Sequence, residues 1–268
     1  MGKIIEKITS VHNQKIKNIV KLQKASERKM QNIFFVEGLK EIEKALLFGN
    51  TVVSTFFCSN IISLIEIENH FSKLLSTEIF EITQEVFNKI SYRENSGGII
   101  VLFEYKKKTL DDLKLKENPL IIVLDSVEKP GNIGAILRTA DAAGIDAVLI
   151  TGFQTDLYNP NVIRASLGCV FSVPIAESTV DEAIYFLQRN YISIYCTYLE
   201  ASKVYSEIDF KKSSAIVMGT EATGISVNWL KNSNSNIIIP MRGIADSMNV
   251  STSTAVVVYE ACRQRNFK

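Results

Sequence analysis

The sequence predicts an α/β protein built as two units, on three observations. Short, nearly continuous apolar stretches alternate with segments of helical periodicity. A charged stretch ending in proline, KKKTLDDLKLKENP, interrupts that alternation between Lys106 and Pro119, and beyond it the pattern restarts more regularly. The 268 residues are enough for one large or two modest domains, each with its own core.

In the first part, KIKNIVKLQKA places Ile16, Ile19, Val20 and Leu22 near helical spacing, and EGLKEIEKALLFGN repeats the pattern until Gly49, which suits a helix C-terminus. TVVSTFFCS reads as a strand, Ile61 to Leu75 as helix, TEIFEIT as strand, QEVFNKI as helix and GGIIVLFEY as strand. Residues 1–105 therefore read as a compact α/β domain and 106–118 as a linker running into Pro119. In 119–268 the apolar runs PLIIVLDS, DAVLITG, GCVFSVPI, YISIYCTYL, SSAIVMGTE and NSNIIIPM are expected to be strands. Strands apolar on both faces are buried on both, which implies a mostly parallel sheet with helices on each side. Helices are expected over Gly131 to Ala143, Val180 to Arg189 and Asn249 to Arg265.

Composition excludes several function classes. At 46% hydrophobic and 22% charged the chain reads as an ordinary globular protein, with no apolar run near the ~20 residues of a membrane helix. MGKIIEKITS lacks the apolar core of a secretory signal. Cys58, Cys169, Cys196 and Cys262 are scattered without C-x-x-C spacing, as expected of reduced thiols in a cytoplasmic protein rather than a disulfide frame or zinc site. Both histidines, His12 and His70, precede Pro119. Chemistry beyond it must proceed without an imidazole base, and no metal is expected.

Before Pro119 there are 18 basic and 15 acidic residues; from it onward there are 12 and 14. Much of the early excess lies at Lys15, Lys17, Lys21, Lys24, Arg28 and Lys29, a cluster able to neutralise phosphates. On charge alone a solvated helix face explains it better.

Three stretches of the second domain carry polar residues where chemistry is expected. LDSVEKPGNIGAILRTADAAGIDAVLI runs strand, glycine turn, helix, strand, as in a nucleotide-binding fold. A dinucleotide fingerprint would need glycine at position 129, where Lys129 stands, and an acidic residue near Leu149 to Gly152, where none stands; this argues against a nicotinamide cofactor. Within it Asn132 and Arg138 lie six apart near a helix start. Arg138 falls off the apolar stripe, free to pair with Asp141 or to meet a phosphate or ribose oxygen. In VMGTEATGIS a buried strand breaks into a turn, setting Glu221 just past the strand's carboxyl end beside Gly219 and Gly224. IPMRGIADSMNVSTSTAVVVYEACRQR places Ser247 and Asn249 at the start of a helix whose first turns are all small, a pattern of close helix packing or of a tightly packed ligand.

Taken together, PGNIGAILRTA, the Gly219–Gly224 turn, and IPM with SMNVS resemble the three motifs of the SpoU/TrmH-like RNA ribose 2′-O-methyltransferases of the SPOUT superfamily, over essentially all of Pro119 to Arg265. RASLGCVFSVP resembles the family's connecting segment, and SERKMQNIFFVEGLKEIEKAL is similar to its amino-terminal, ribosomal-protein-like substrate-binding module. Thr220, Ala222 and Met248 depart from the usual Asn, Gly and Leu. The resemblance implies a carboxyl-terminal sheet with a trefoil knot, S-adenosylmethionine as cofactor, and a homodimer through the carboxyl-terminal domain. It implies an RNA substrate, ribosomal before transfer RNA, and an RNA role for the basic cluster. Position by position it implies catalytic roles for Asn132, Arg138, Glu221, Ser247 and Asn249, and cofactor contacts from Gly219, Ile239 and Met248, with Thr197 and Leu199 as further contacts. Gly131 and Gly134 would shape the turn that presents Asn132 and Arg138. A catalytically inactive RNA-binding protein of the same fold is the rival reading.

Overall fold

A computed structural model of the chain describes residues 5–93, 96–152, 156–201, 203–220 and 223–267. It divides into two compact units: Met1–Lys106 with Asp156–Phe171, and Lys107–Thr155 with Ser172–Lys268.

The first unit runs β1 (Glu6–Ile8), α1 (Gln14–Lys21), α2 (Ala25–Gln31), β2 (Ile33–Glu37), α3 (Leu39–Leu47), β3 (Val52–Cys58), α4 (Leu64–Phe71), β4 (Glu78–Ile82), α5 (Gln84–Ile90) and β5 (Ile99–Glu104). Its sheet has the order β1-β4-β3-β5-β2, parallel where β4 meets β1 and β3, antiparallel where β5 meets β3 and β2. Helix starts follow local capping chemistry. Asn13 accepts from the Lys15 amide, Thr83 from Val86, and Ser63 forms a reciprocal capping box with Glu66. The apolar stripe of α1, Ile16 and Ile19, is fully buried with Leu22 against Phe35, Phe56 and Phe80 of the sheet.

The distant segment Asp156–Phe171 completes this unit. It carries helix α7 (Pro160–Ala165), which packs on the edge strand β2. The Tyr158 ring stacks on Phe34 with centroids 4.1 Å apart, and its hydroxyl donates to the Lys106 carbonyl. Arg28 is buried to 1% exposure: Nε and Nη2 each lie 2.6 Å from Asp156 Oδ2, while Nη1 donates to the Leu22 and Gln23 carbonyls. That overturns the expectation that Arg28 meets RNA, because a guanidinium buried and paired in this way is out of a phosphate's reach. Lys15, Lys17, Lys21, Lys24 and Lys29 remain exposed, with Lys15 3.8 Å from Glu78 and over the Phe80 ring.

In the second unit the strands are β6 (Leu120–Asp125), β7 (Ala147–Thr151), β8 (Ile175–Glu177), β9 (Ser193–Thr197), β10 (Lys203–Val204), β11 (Ser214–Met218) and β12 (Ser235–Ile238). Its helices are α6 (Pro130–Ala143), α9 (Val180–Arg189), α10 (Val227–Asn232) and α11 (Val250–Gln264); the short α8 (Cys169–Ser172), which belongs to the first unit up to Phe171, leads into β8. The sheet order is β10-β12-β9-β11-β6-β7-β8, and every described pairing is parallel. The central strands β6, β7 and β11 are buried at every residue, as their unbroken apolar sequences require. Ile121, Val123, Leu149, Ala215 and Val217 share a core with Ala183 and Leu187 of α9 and Trp229 of α10. Alternate residues face the other side, where α11 lies against β11 and α6.

Two expectations fail here. GCVFSVPI forms the helix α8 before β8 rather than one strand, because a brief apolar run suits a buried helical turn as well as a strand. Gly131 and Gly134 do not shape a turn. The helix already begins at Pro130, so both lie inside it, and a side chain at Gly131 would meet open space. The stretch 106–118 is also packed in part: Leu110, Leu113 and Leu115 rest on the second unit's core, and the Lys108 carbonyl accepts from the Glu177 amide.

Candidate active site

The loops that follow β9, β11 and β12 leave the sheet at its carboxyl end, where parallel sheets bind ligands. They enclose a cavity of about 430 Å³. That is within the roughly 300–1,000 Å³ of small-molecule sites. Its walls are largely apolar, with Met218, Ile237, Ile238, Met248 and Val250 among them.

All five residues expected to touch a cofactor, Thr197, Leu199, Gly219, Ile239 and Met248, line this cavity, and so does Ser247. Thr197 closes β9 onto its neighbour, its hydroxyl donating to the Val217 carbonyl. Gly219 is required by packing rather than by backbone angle. A Cβ there would collide with the Gly224 carbonyl, whose oxygen closes the turn by accepting from the Thr220 amide. Gly224 takes the left-handed conformation at φ 68°, and Thr223 donates its amide to the Thr220 hydroxyl. Glu221 lies outside the described residues.

Beside the cavity, α11 begins at Asn249. Its carboxamide oxygen accepts from the Ser251 amide and hydroxyl, and its Nδ2 donates to Asn132 Oδ1 at 3.1 Å. One side chain thus caps a helix and ties it to the first turn of α6. Of the small residues behind the cap, Ser253 lines the cavity, while Thr254 is buried on a helix that packs against α6 and returns its hydroxyl to the Val250 carbonyl. Arg138, two turns along α6, is exposed. No ion pair forms with Asp141, whose carboxylate accepts instead from Ser172. Asn132, Arg138 and Asn249 do not line the cavity itself.

Several site residues were missed in the sequence. Tyr198 and Glu200 line the cavity just past β9, the Tyr198 hydroxyl donating to Glu200 Oε2 at 3.0 Å, and that bond holds the phenol above its ordinary pKa. Asp125, 2% exposed at the end of β6, accepts from the Ser226 amide and the Thr151 hydroxyl, fastening the turn after β11 to the ends of β6 and β7. The only sign of it in the sequence is a carboxylate at the end of an otherwise apolar strand. In β9, just before Thr197, burial pushes the Cys196 thiol up to about 12, so it stays protonated. No group of three or more metal-binding side chains occurs among the described residues, and no described helix is long and apolar enough to cross a membrane.

The geometry agrees with sequence comparison. Residues 119–259 match the SpoU rRNA Methylase family. The chain belongs to the SpoU rRNA methylase family. Residues 13–101 match the MRM3-like substrate binding domain. The 23S rRNA (guanosine(2553)-2′-O)-methyltransferase RlmP of Bacillus subtilis is 28% identical over 95% of this chain and 98% of its own. Among solved structures, an RNA 2′-O ribose methyltransferase shares 36% identity with TM-score 0.84, covering 97% of this SpoU chain and 99% of that one. An AdoMet-bound rRNA methyltransferase from Sinorhizobium meliloti shares 30% with TM-score 0.89, covering 97% and 98%.

Proposed function

We propose that this SpoU protein methylates a ribose 2′-hydroxyl of ribosomal RNA, with S-adenosylmethionine as donor. The observation that carries the reading is the cavity itself. Its size suits the donor, its apolar walls suit the adenine and thioether carbons, and the five positions matched to the family's cofactor contacts converge on it. The cofactor supplies an already activated methyl on a sulfonium. What remains for the chain is alignment, which contributes ~7–11 kcal/mol in favourable cases.

The 2′-hydroxyl must lose its proton during attack, and the second unit has no histidine to take it. A guanidinium carries donors only, so Arg138 is read as steering the hydroxyl, whose proton leaves to solvent water. That Arg138 is exposed and uncommitted to Asp141 supports a role in holding the incoming ribose and its phosphate and in stabilising charge developing on the oxygen. Asn132 and Asn249 fix the start of its helix through their mutual hydrogen bond. Ser247 and Glu221 complete the catalytic set, and the exposed lysines of α1 and α2 take up RNA phosphates. The reading includes a trefoil knot threading the carboxyl-terminal segment, a homodimer through the second unit and a cytoplasmic location. Exposed Ile244 and Tyr259 in the second unit are consistent with a covered surface. Ribosomal RNA is preferred to transfer RNA because the Bacillus subtilis and Sinorhizobium meliloti proteins, which match nearly the whole chain, are named for ribosomal RNA.

The test is Arg138→Ala, assayed by methyl transfer to ribosomal RNA and by calorimetric binding of S-adenosylhomocysteine. Transfer should fall at least a hundredfold, with binding changed less than threefold. Undiminished transfer would remove Arg138 from the mechanism.

A further inference from the structure

Resting on the cofactor reading above, we infer that Glu200, braced by Tyr198, receives the two ribose hydroxyls of the bound S-adenosylmethionine. Glu200 carries the only carboxylate among the described residues that line the cavity. Its surroundings there are chiefly aliphatic and thioether side chains with a few hydroxyls, so it is the strongest hydrogen-bond acceptor available.

Its position is set by the strand before it. The Tyr198 amide donates to the Ile237 carbonyl, pinning the end of β9 to β12, and the Ala201 amide returns to the Tyr198 carbonyl to close the turn. The Tyr198 hydroxyl then occupies one lone pair of Glu200 Oε2 and leaves Oε1 open among the described residues. A carboxylate with an oxygen free and a phenol beside it matches two adjacent hydroxyl donors, and charge-assisted bonds of this kind are the stronger class.

Sheet order gives the direction. β9 lies on the side of β11 away from β6, whereas α6, with Asn132 and Arg138, follows β6. Glu200 therefore borders the side of the cavity remote from the residues assigned to the acceptor ribose. A donor whose methyl faces Arg138 leaves its nucleoside sugar for the Glu200 side.

The experiment compares wild type, Glu200→Gln and Tyr198→Phe by isothermal calorimetry with three probes: S-adenosylhomocysteine, 5′-methylthioadenosine and 2′-deoxy-5′-methylthioadenosine. Glu200→Gln should weaken the first two about tenfold, with the deoxy probe already weak and nearly indifferent to the substitution. Tyr198→Phe should give a smaller loss in the same order. Glu200 is exposed, so an unchanged thermal midpoint will show that the fold is intact. Weakening of S-adenosylhomocysteine but not of methylthioadenosine would assign Glu200 to the amino group and overturn the inference, as would equal losses for the hydroxyl and deoxy probes. A wild type that binds none of the three would instead remove the cofactor reading itself.

Discussion

Replacing Asp156 by Asn isolates the worth of a buried ion pair whose partners lie 128 positions apart. The wild-type guanidinium of Arg28 is 1% exposed and bonded to one carboxylate oxygen from two nitrogens. Asparagine keeps the shape but removes the charge, leaving a cation desolvated and uncompensated. Removing one partner of such a pair costs ~3–5 kcal/mol. The lower end applies, because the Leu22 and Gln23 carbonyls still receive Nη1. A loss of ~3 kcal/mol lowers the melting temperature by roughly 6–12 °C for a protein of this size. Differential scanning calorimetry reads it directly. Arg28→Met combined with Asp156→Leu should recover much of the loss, since no isolated charge remains. RNA affinity at a temperature where Asp156→Asn stays folded should match wild type. A variant as stable as wild type, or one that loses RNA affinity without losing stability, would refute both the burial energetics and the removal of Arg28 from the RNA surface.

Changing Lys17, Lys21, Lys24 and Lys29 together to Ala should weaken RNA binding and flatten its dependence on salt, the slope of log K against log salt falling by about 0.7–0.9 for each phosphate no longer neutralised; an unchanged slope would return these lysines to a solvated face. Gly219→Ala forces the Gly224 carbonyl away and should reduce S-adenosylhomocysteine affinity at least tenfold by calorimetry, with unchanged circular dichroism. Burial raises the Glu37 carboxyl above its ordinary 4.5, so the native state keeps that proton to higher pH than the unfolded chain does. Stability attributable to Glu37 is therefore present below pH ~4.5 and falls as pH rises through the raised value. Glu37→Gln should flatten that part of a urea-denaturation profile, and identical profiles would count against the shift.

Much of the second unit could be read from the chain because its strands carry their environment in their composition. LIIVLD and AVLIT are apolar at nearly every position, and a strand buried on both faces has no other solution. The helices beginning after Thr179 and Asn249 are announced by their caps. What escaped is what neighbours decide. β1 has three residues and β10 two, and each exists only through one parallel partner. The stretches Pro160–Ala165 and Val227–Asn232, six residues each, span less than two turns and are too short for an apolar stripe to repeat. Arg28 looked like its lysine neighbours because the carboxylate that buries it is remote in sequence. At the site, spacing and family likeness located the cavity walls, whereas Glu200 and Asp125 became visible only when strand ends were brought together.

The excursion of Asp156–Phe171 has a consequence for how such proteins can be rebuilt. Because these residues complete the first unit while their flanking strands β7 and β8 belong to the second, the polypeptide passes between the units three times rather than once. Cutting at residues 106–118 would release an amino-terminal fragment lacking Asp156 and the ring that covers Phe34, and grafting a foreign recognition module at that junction alone would leave Tyr158 and its neighbours with nothing to cover. Exchange of the first unit in this chain has to carry the internal segment along with residues 1–106.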